Sequence, residues 1–366
     1  MNLLEKKNYL TYNDTAFIKG IALIFMFIHH FFAYPSWYIE GIRYPSLVNL
    51  AEIFKHPFNS VSLFAFLTGY TYYYTKKKDM KYSLKKILDI FIPYVLIYIV
   101  FLIIAISTKC YVFNIKDFLL ELFALKRPIM RFCWYVIFYI ITMLILPLVE
   151  KKLNKGVKYA VLYGIILPII IGTALKGIFI KNEIILDIVN NFIRFFPSVI
   201  IGYISSRYEL FYKIDDFLKK NIKINIVYIL VLFILAAGSF MGKYYFPTLS
   251  IGSIDFINKT YAFYFNLDML YTPIFIYAIV NISRYICKKV LVVFESIGKY
   301  SLLMWFLHCI FFNCCQEIFM PILYMPGNAF LVLIWGLLIC YIAAFIFEIP
   351  IKKLTSLKNK LIEKEG

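Results

Sequence analysis

Apolar residues along this chain come in long runs separated by short polar stretches. They show neither the alternation of a half-buried strand nor the one-sided stripe of a soluble amphipathic helix. Ten runs fall at about 16–34, 58–75, 87–107, 131–149, 157–175, 187–205, 223–241, 262–281, 298–319 and 329–349. They are about 18–22 residues long, the helix length that crosses roughly 30 Å of hydrocarbon. The pattern predicts an all-α polytopic bundle of ten transmembrane helices. The second run is rich in Ser, Thr and Tyr, which suits a span packed inside the bundle. An even span count places both termini on one side. The N-terminal segment through Lys19, the stretches 76–86, 151–158, 207–223 and 284–299, and the tail hold 27 of the 39 lysines and arginines. Positive charge is retained in the cytoplasm, so both termini are expected there.

Composition agrees. Of 366 residues 62% are hydrophobic, with mean hydropathy +0.77, against about 45–50% apolar in a soluble domain. The net charge of +18 would raise a nucleic-acid partner in a soluble protein. Here the charges sit between spans, with no basic stripe interleaved with aromatics, so topology accounts for them and no nucleic acid is expected. The seven cysteines lie mostly in apolar runs, where Cys acts as a small hydrophobe. No CxxC spacing occurs and Cys314 and Cys315 are adjacent, so no metal site and no disulfide framework is expected. The first apolar run lacks a small-residue cleavage site and does not read as a cleaved signal peptide. The outer loops are the longer ones. Tyr34, Trp37, Tyr38, Arg43, Tyr44, Glu52 and His56 lie in or beside 35–57, and Tyr244, Tyr245, Asp255 and Tyr261 lie in 242–261. Aromatics at span ends form an interfacial belt first and a sugar-stacking platform second. No internal repeat and no linker divides the chain, so residues 1–366 are expected to form one membrane domain with no appended soluble domain.

Chemistry is expected where polarity interrupts a span. Two imidazoles, His29 and His30, stand in the first run, where an ionisable group costs a few kcal/mol and usually faces a protein interior or wet cavity. Lys19 precedes His30 by eleven residues, a rise of about 16 Å and close to three full turns. The two share a face, while His29 points about 100° away. A cation at the inner mouth suits the phosphates of a cytosolic donor, and an imidazole deeper in suits removal of a hydroxyl proton. The competing reading is a snorkelling lysine and a structural histidine. Ser301 and His308 are seven residues apart on one face, but about 10 Å apart along the axis, too far for a direct Ser–His pair; packing or an acceptor site is the expectation. Arg194 and Asp268 are the other charges in spans, read as an internal ion pair or, for Arg194, as a site for an acceptor's phosphate. Trp134 reads as a belt or acceptor-site residue.

Several stretches taken in order resemble the acyltransferase-3 family of integral membrane acyltransferases. Lys19-Gly-Ile-Ala…His30 resembles its first-span signature of a basic residue, ten residues, then His. Phe64-Ala-Phe-Leu-Thr-Gly-Tyr70 is similar to its Phe-x-Leu-Ser-Gly-Phe, and 83–94, ending in Pro93-Tyr94, to its basic segment closing on Pro-Tyr. Cys133-Trp134-Tyr135, Phe196…Gly202-Tyr203, Ile297-Gly-Lys-Tyr-Ser301…Leu307-His308 and Glu348-Ile-Pro350 are similar to further segments. Two departures stand out. Lys19 replaces the usual Arg, keeping the charge but not the bidentate fork. Lys86-Ile-Leu-Asp89 replaces Arg-x-x-Arg, so an acid occupies the second cation's place.

The resemblance implies an O-acyltransferase of the bacterial plasma membrane. Its donor substrate would be cytoplasmic acyl-CoA, acetyl-CoA above all, with no bound cofactor. Its acceptor would be a hydroxyl of a cell-surface or lipid-linked saccharide. His30 would be the general base, and Lys19 and Lys86 would contact the donor's phosphates. Membrane lipids and polysaccharide-biosynthesis proteins are the other expected partners. A transporter or flippase for a surface-polysaccharide intermediate is the alternative, since a buried His also suits proton coupling.

Overall fold

A computed structural model describes residues 8–33, 60–246, 248–253 and 262–364 of the chain. The outer-loop residues from Tyr34 to His56, with Asp255 and Tyr261, lie outside the described residues, as do positions 58 and 59 of the second predicted run.

The described residues are helical apart from one hairpin and the turns between elements. In order it forms α1 (Tyr12–Phe32), α2 (Ser60–Tyr74), α3 (Met80–Ser107), α4 (Ile115–Leu122), α5 (Trp134–Leu153), α6 (Val157–Ile178), α7 (Glu183–Arg207), α8 (Leu210–Asn221) and α9 (Asn225–Tyr245). Strands β1 (Thr248–Ser253) and β2 (Ala262–Asn266) follow, then α10 (Asp268–Ser283), α11 (Lys288–Leu307), a 3-10 turn over His308–Phe312, α12 (Gln316–Tyr324) and α13 (Ala329–Lys364). Seven helices among the described residues are long and apolar enough to cross a membrane, namely α1, α3, α6, α7, α9, α11 with its 3-10 turn, and α13. Helices also stand at the other three predicted positions, though α2 and α10 have only 15 and 16 residues.

Three boundaries differ from those expected. The run 262–281 begins as strand, paired antiparallel with β1 from Thr248↔Asn266 to Ser253↔Ala262, and turns helical only at Asp268. The run 298–319 is displaced, because α11 starts at Lys288 and its α-geometry stops at Leu307. The stretch 284–299, read as a loop, is therefore mostly helix. The last helix continues well past 349. Caps explain several starts. The side chains of Asp79, Asn114 and Asn182 accept from Tyr82 N–H, from Lys116 and Asp117 N–H, and from Ile185 N–H, satisfying donors a helix leaves open in its first turn.

The chain divides into two compact units. One comprises Met1–Met26, Lys55–Lys78 and Leu148–Lys299. Its core gathers Phe17, Ile18, Phe66, Tyr70, Phe211 and Ile276. Two helix crossings in it run backbone to backbone. A Cβ on Gly69 of α2 would lie 1.7 Å from the Val199 carbonyl oxygen of α7, and one on Gly202 would lie 2.1 Å from that of Phe66. Gly20 and Gly298 make the same reciprocal contact between α1 and α11, at 2.1 Å from Phe294 O and 1.7 Å from Ala16 O. Such approach is open only to glycine. Large apolar side chains on α9, among them Ile226, Leu230, Phe233 and Ile234, are exposed, as a lipid-facing helix requires.

The second unit comprises Phe27–Phe54, Asp79–Pro147 and Tyr300–Gly366. In it α3 packs on α13, and α12 packs on α13 and on the 3-10 turn. The Tyr324 hydroxyl donates to the Phe31 carbonyl, which ties α12 to the end of α1. The same part of α1 carries the histidines.

Candidate functional site

His30 lies in the last turn of α1, and α1 runs unbroken from Tyr12. An uninterrupted apolar sequence without Pro keeps it helical, so Lys19 and His30 do share a face, about 16 Å apart along it. Lys19 is half-buried.

His30 does not stand alone. Its Nδ1 lies 2.8 Å from Nε2 of His308. The two rings are nearly parallel, at 2°, with centroids 5.0 Å apart. Phe132 lies flat over His30, centroids 3.9 Å apart and planes at 13°, and reaches His308 at 5.5 Å. Phe27, one turn before His30, stacks on His308 at 5.1 Å. His308 is fully buried, and its Nδ1 meets the Trp305 carbonyl oxygen. His30 is half-buried, and its Nε2 has no hydrogen-bond partner among the described residues. The His29 ring is tilted away, 5.4 Å from that of His30.

Local chain geometry sets this arrangement. After Leu307 helix α11 tightens into a 3-10 turn, which has three residues per turn in place of 3.6. His308 is the first residue of that turn and bonds back to the carbonyl three residues earlier. Phe132 stands in the turn just before α5, with Cys133 beside it. The Cys133 and Cys309 sulfurs are 3.7 Å apart and both residues are buried. Arg131, also in that turn and exposed, is near enough for its charge to act on His30.

Ser301 is buried on α11, but the nitrogens of His308 are engaged by His30 and Trp305, so the two form no Ser–His pair. Trp134 is half-buried at the first position of α5, its ring edge-on to Tyr135 at 6.1 Å. Lys86 on α3 forms a salt bridge with Asp89, 3.2 Å, both partly exposed. Asp89 thus pairs with the cation that was expected to meet a donor's phosphate. A pair this exposed is worth at most about 1 kcal/mol.

A second polar cluster lies in the first unit. Asp268, at the start of α10, forms an ion pair with Lys243 at the end of α9, and both are buried. Ser62 Oγ donates to Asp268 Oδ2 at 2.6 Å and Asn266 Nδ2 to the same oxygen at 3.1 Å. Asn266 Nδ2 also lies 3.2 Å from the Arg194 carbonyl oxygen. Arg194 is exposed, its guanidinium 5.2 Å from the Phe195 ring, and its charge acts on Lys243. The carboxylate expected to face Arg194 is thus held by Lys243, Ser62 and Asn266. A buried charge supplied with a counter-ion and further hydrogen bonds is a structural latch.

Sequence reasoning missed Phe132, Lys243 and the Trp305 carbonyl. Lys243 carried a signal, a cation two residues past an apolar run. Phe132 carried none, being one aromatic among 68 Phe and Tyr. Among the described residues no three His, Cys, Asp or Glu side chains gather as a metal site needs.

The acyltransferase-3 family model, described as an acyltransferase domain, matches residues 15–348. No curated protein and no solved structure matches the chain.

Proposed function

From a chain that belongs to the acyltransferase-3 family, and is on that ground a multi-pass membrane acyltransferase, we infer an O-acetyltransferase of the bacterial plasma membrane. It moves the acetyl group of cytoplasmic acetyl-CoA to a hydroxyl of a cell-surface or lipid-linked saccharide. His30 is the general base, Lys19 and Lys86 bind the donor's phosphates, and ten spans leave both termini in the cytoplasm.

One observation carries the reading: an imidazole within a span, held on one face by Phe132 and on one nitrogen by His308, with its other nitrogen open. A base must be fixed yet reachable. The acceptor hydroxyl gives its proton to His30 as its oxygen attacks the thioester carbonyl carbon. The new C–O bond forms, the C–S bond breaks, and the departing CoA thiolate takes the proton back from His30. The products are the acetyl ester and free CoA, with no net change in the enzyme.

The test supplies radiolabelled acetyl-CoA to membranes and follows label into the saccharide fraction. His30→Ala is expected to lower transfer by about 1,000-fold. Full transfer by that variant removes His30 from the mechanism. Loss of polymer export with acetylation unchanged identifies a transporter.

A further inference from the structure

The hydrogen bond between His30 and His308 has a direction, and the direction decides which nitrogen of His30 is the base. A carbonyl oxygen only accepts, so His308 Nδ1 carries hydrogen and donates to Trp305 O. His308 is fully buried against Phe27 and Phe132, and among the described residues no carboxylate acts on it. A second proton would leave an unpaired cation in an apolar site, at large desolvation cost. His308 is therefore neutral and its Nε2 bears a lone pair. The partner across 2.8 Å, His30 Nδ1, must then supply the hydrogen.

We propose that His308 is the positioning residue of this site: by accepting from His30 Nδ1–H it holds His30 in the tautomer whose lone pair lies on Nε2, the open nitrogen. The inference rests on the general-base reading of His30. The chain of contacts runs from the Trp305 carbonyl through His308 to His30, so a backbone atom of α11 fixes a base on α1. When His30 Nε2 takes the hydroxyl proton, the Nδ1–H bond becomes charge-assisted and strengthens. His308 then stabilises the imidazolium more than the neutral ring, which lowers the barrier and not merely the ground state. A base oriented by a third group is the common arrangement in acyl transfer; here a neutral imidazole fills that place. The flat contact of Phe132 on both rings keeps them in one plane.

Two variants separate this role from packing. His308→Gln puts an acceptor oxygen where Nε2 stands; His308→Met fills similar volume and accepts poorly. With labelled acetyl-CoA and native membranes, His308→Met is expected to lower the maximal rate about 100-fold with the apparent KM for acetyl-CoA within about twofold. His308→Gln is expected to stay within about tenfold of the parent. Wild-type turnover by His308→Met overturns the proposal, as does a Gln variant that falls as far as the Met one. A parallel His30→Ala that retains transfer overturns instead the reading on which the proposal rests. A measurement on the unaltered protein is independent of folding. Nitrogen-15 NMR of histidine-labelled protein, with four histidines to assign, is expected to show His30 protonated at Nδ1 and bare at Nε2. The opposite tautomer overturns the proposal.

Discussion

Glu121 is an acid in an unusual place. It lies on α4, outside the spans, and only 1% of it is exposed. Its Oε1 accepts from the Tyr111 hydroxyl at 2.7 Å, and the Tyr94 hydroxyl bonds its backbone carbonyl. Burial pushes its carboxyl up to about 7, against a smaller opposing effect of the Tyr111 hydrogen bond. Between pH 4.5 and about 7 the folded chain therefore holds a proton that the unfolded chain has released. The stabilisation is full below 4.5 and is lost as pH rises through about 7. Glu121→Gln keeps the Tyr111 contact and removes the titration. Its melting temperature in detergent is expected to exceed the parent's at pH 8, by an amount corresponding to at most about 3 kcal/mol, and to match it near pH 4.5. Equal melting curves at both pH values would show that the carboxyl does not titrate there. At this scale the sequence was legible wherever one helix carried the relation. Eleven residues put His30 and not His29 on the face of Lys19, and α1 is indeed unbroken. His308 was readable only as a residue of its own helix, because its partner is 278 positions away and because α11 leaves α-geometry one residue before it.

Elements were legible through hydrophobicity alone, which fixes that a span exists more firmly than where it ends. The stretch Ala262-Phe-Tyr-Phe265 is apolar and aromatic, equally suited to strand or helix, and pairing with β1 decided for strand. The glycine crossings were visible as glycines but not as crossings. Gly20, Gly69, Gly202 and Gly298 each fall in a stretch that resembles the family's, and each serves to bring backbones together. Gly202→Val would drive its side chain into the Phe66 carbonyl of α2. Neither backbone can yield without repacking the whole α2–α7 contact, so a loss of about 3 kcal/mol is expected. The measurement is thermal unfolding in detergent. A melting temperature within a degree of the parent's would mean that α2 and α7 are not in backbone contact.

For the whole molecule, charge says more than shape. A ten-span chain with its basic stretches inside predicts that alkaline phosphatase fused after residue 366 is inactive and that a fluorescent protein there glows. Fusions within 108–133 are expected to give the reverse. Active phosphatase at the C-terminal position would remove one span from the count or invert the chain. That test bears most on α2 and α10, whose 15 and 16 residues reach only about 22–24 Å, short of the roughly 30 Å of hydrocarbon. Both helices pack on α7 and on each other, and their polar residues, Ser62 on α2 and Asp268 on α10, meet there.

Helix α13 has the opposite disproportion. Its 36 residues measure about 54 Å, and the part up to Pro350 is by itself long enough to cross the roughly 30 Å of hydrocarbon. Ile351–Lys364 continue as helix for about another 21 Å. The ten-span prediction places that stem on the cytoplasmic side. Held upright, a stem of that length clears the roughly 5–7 Å headgroup layer and sets its tip more than one Debye length from the anionic lipid surface at physiological salt.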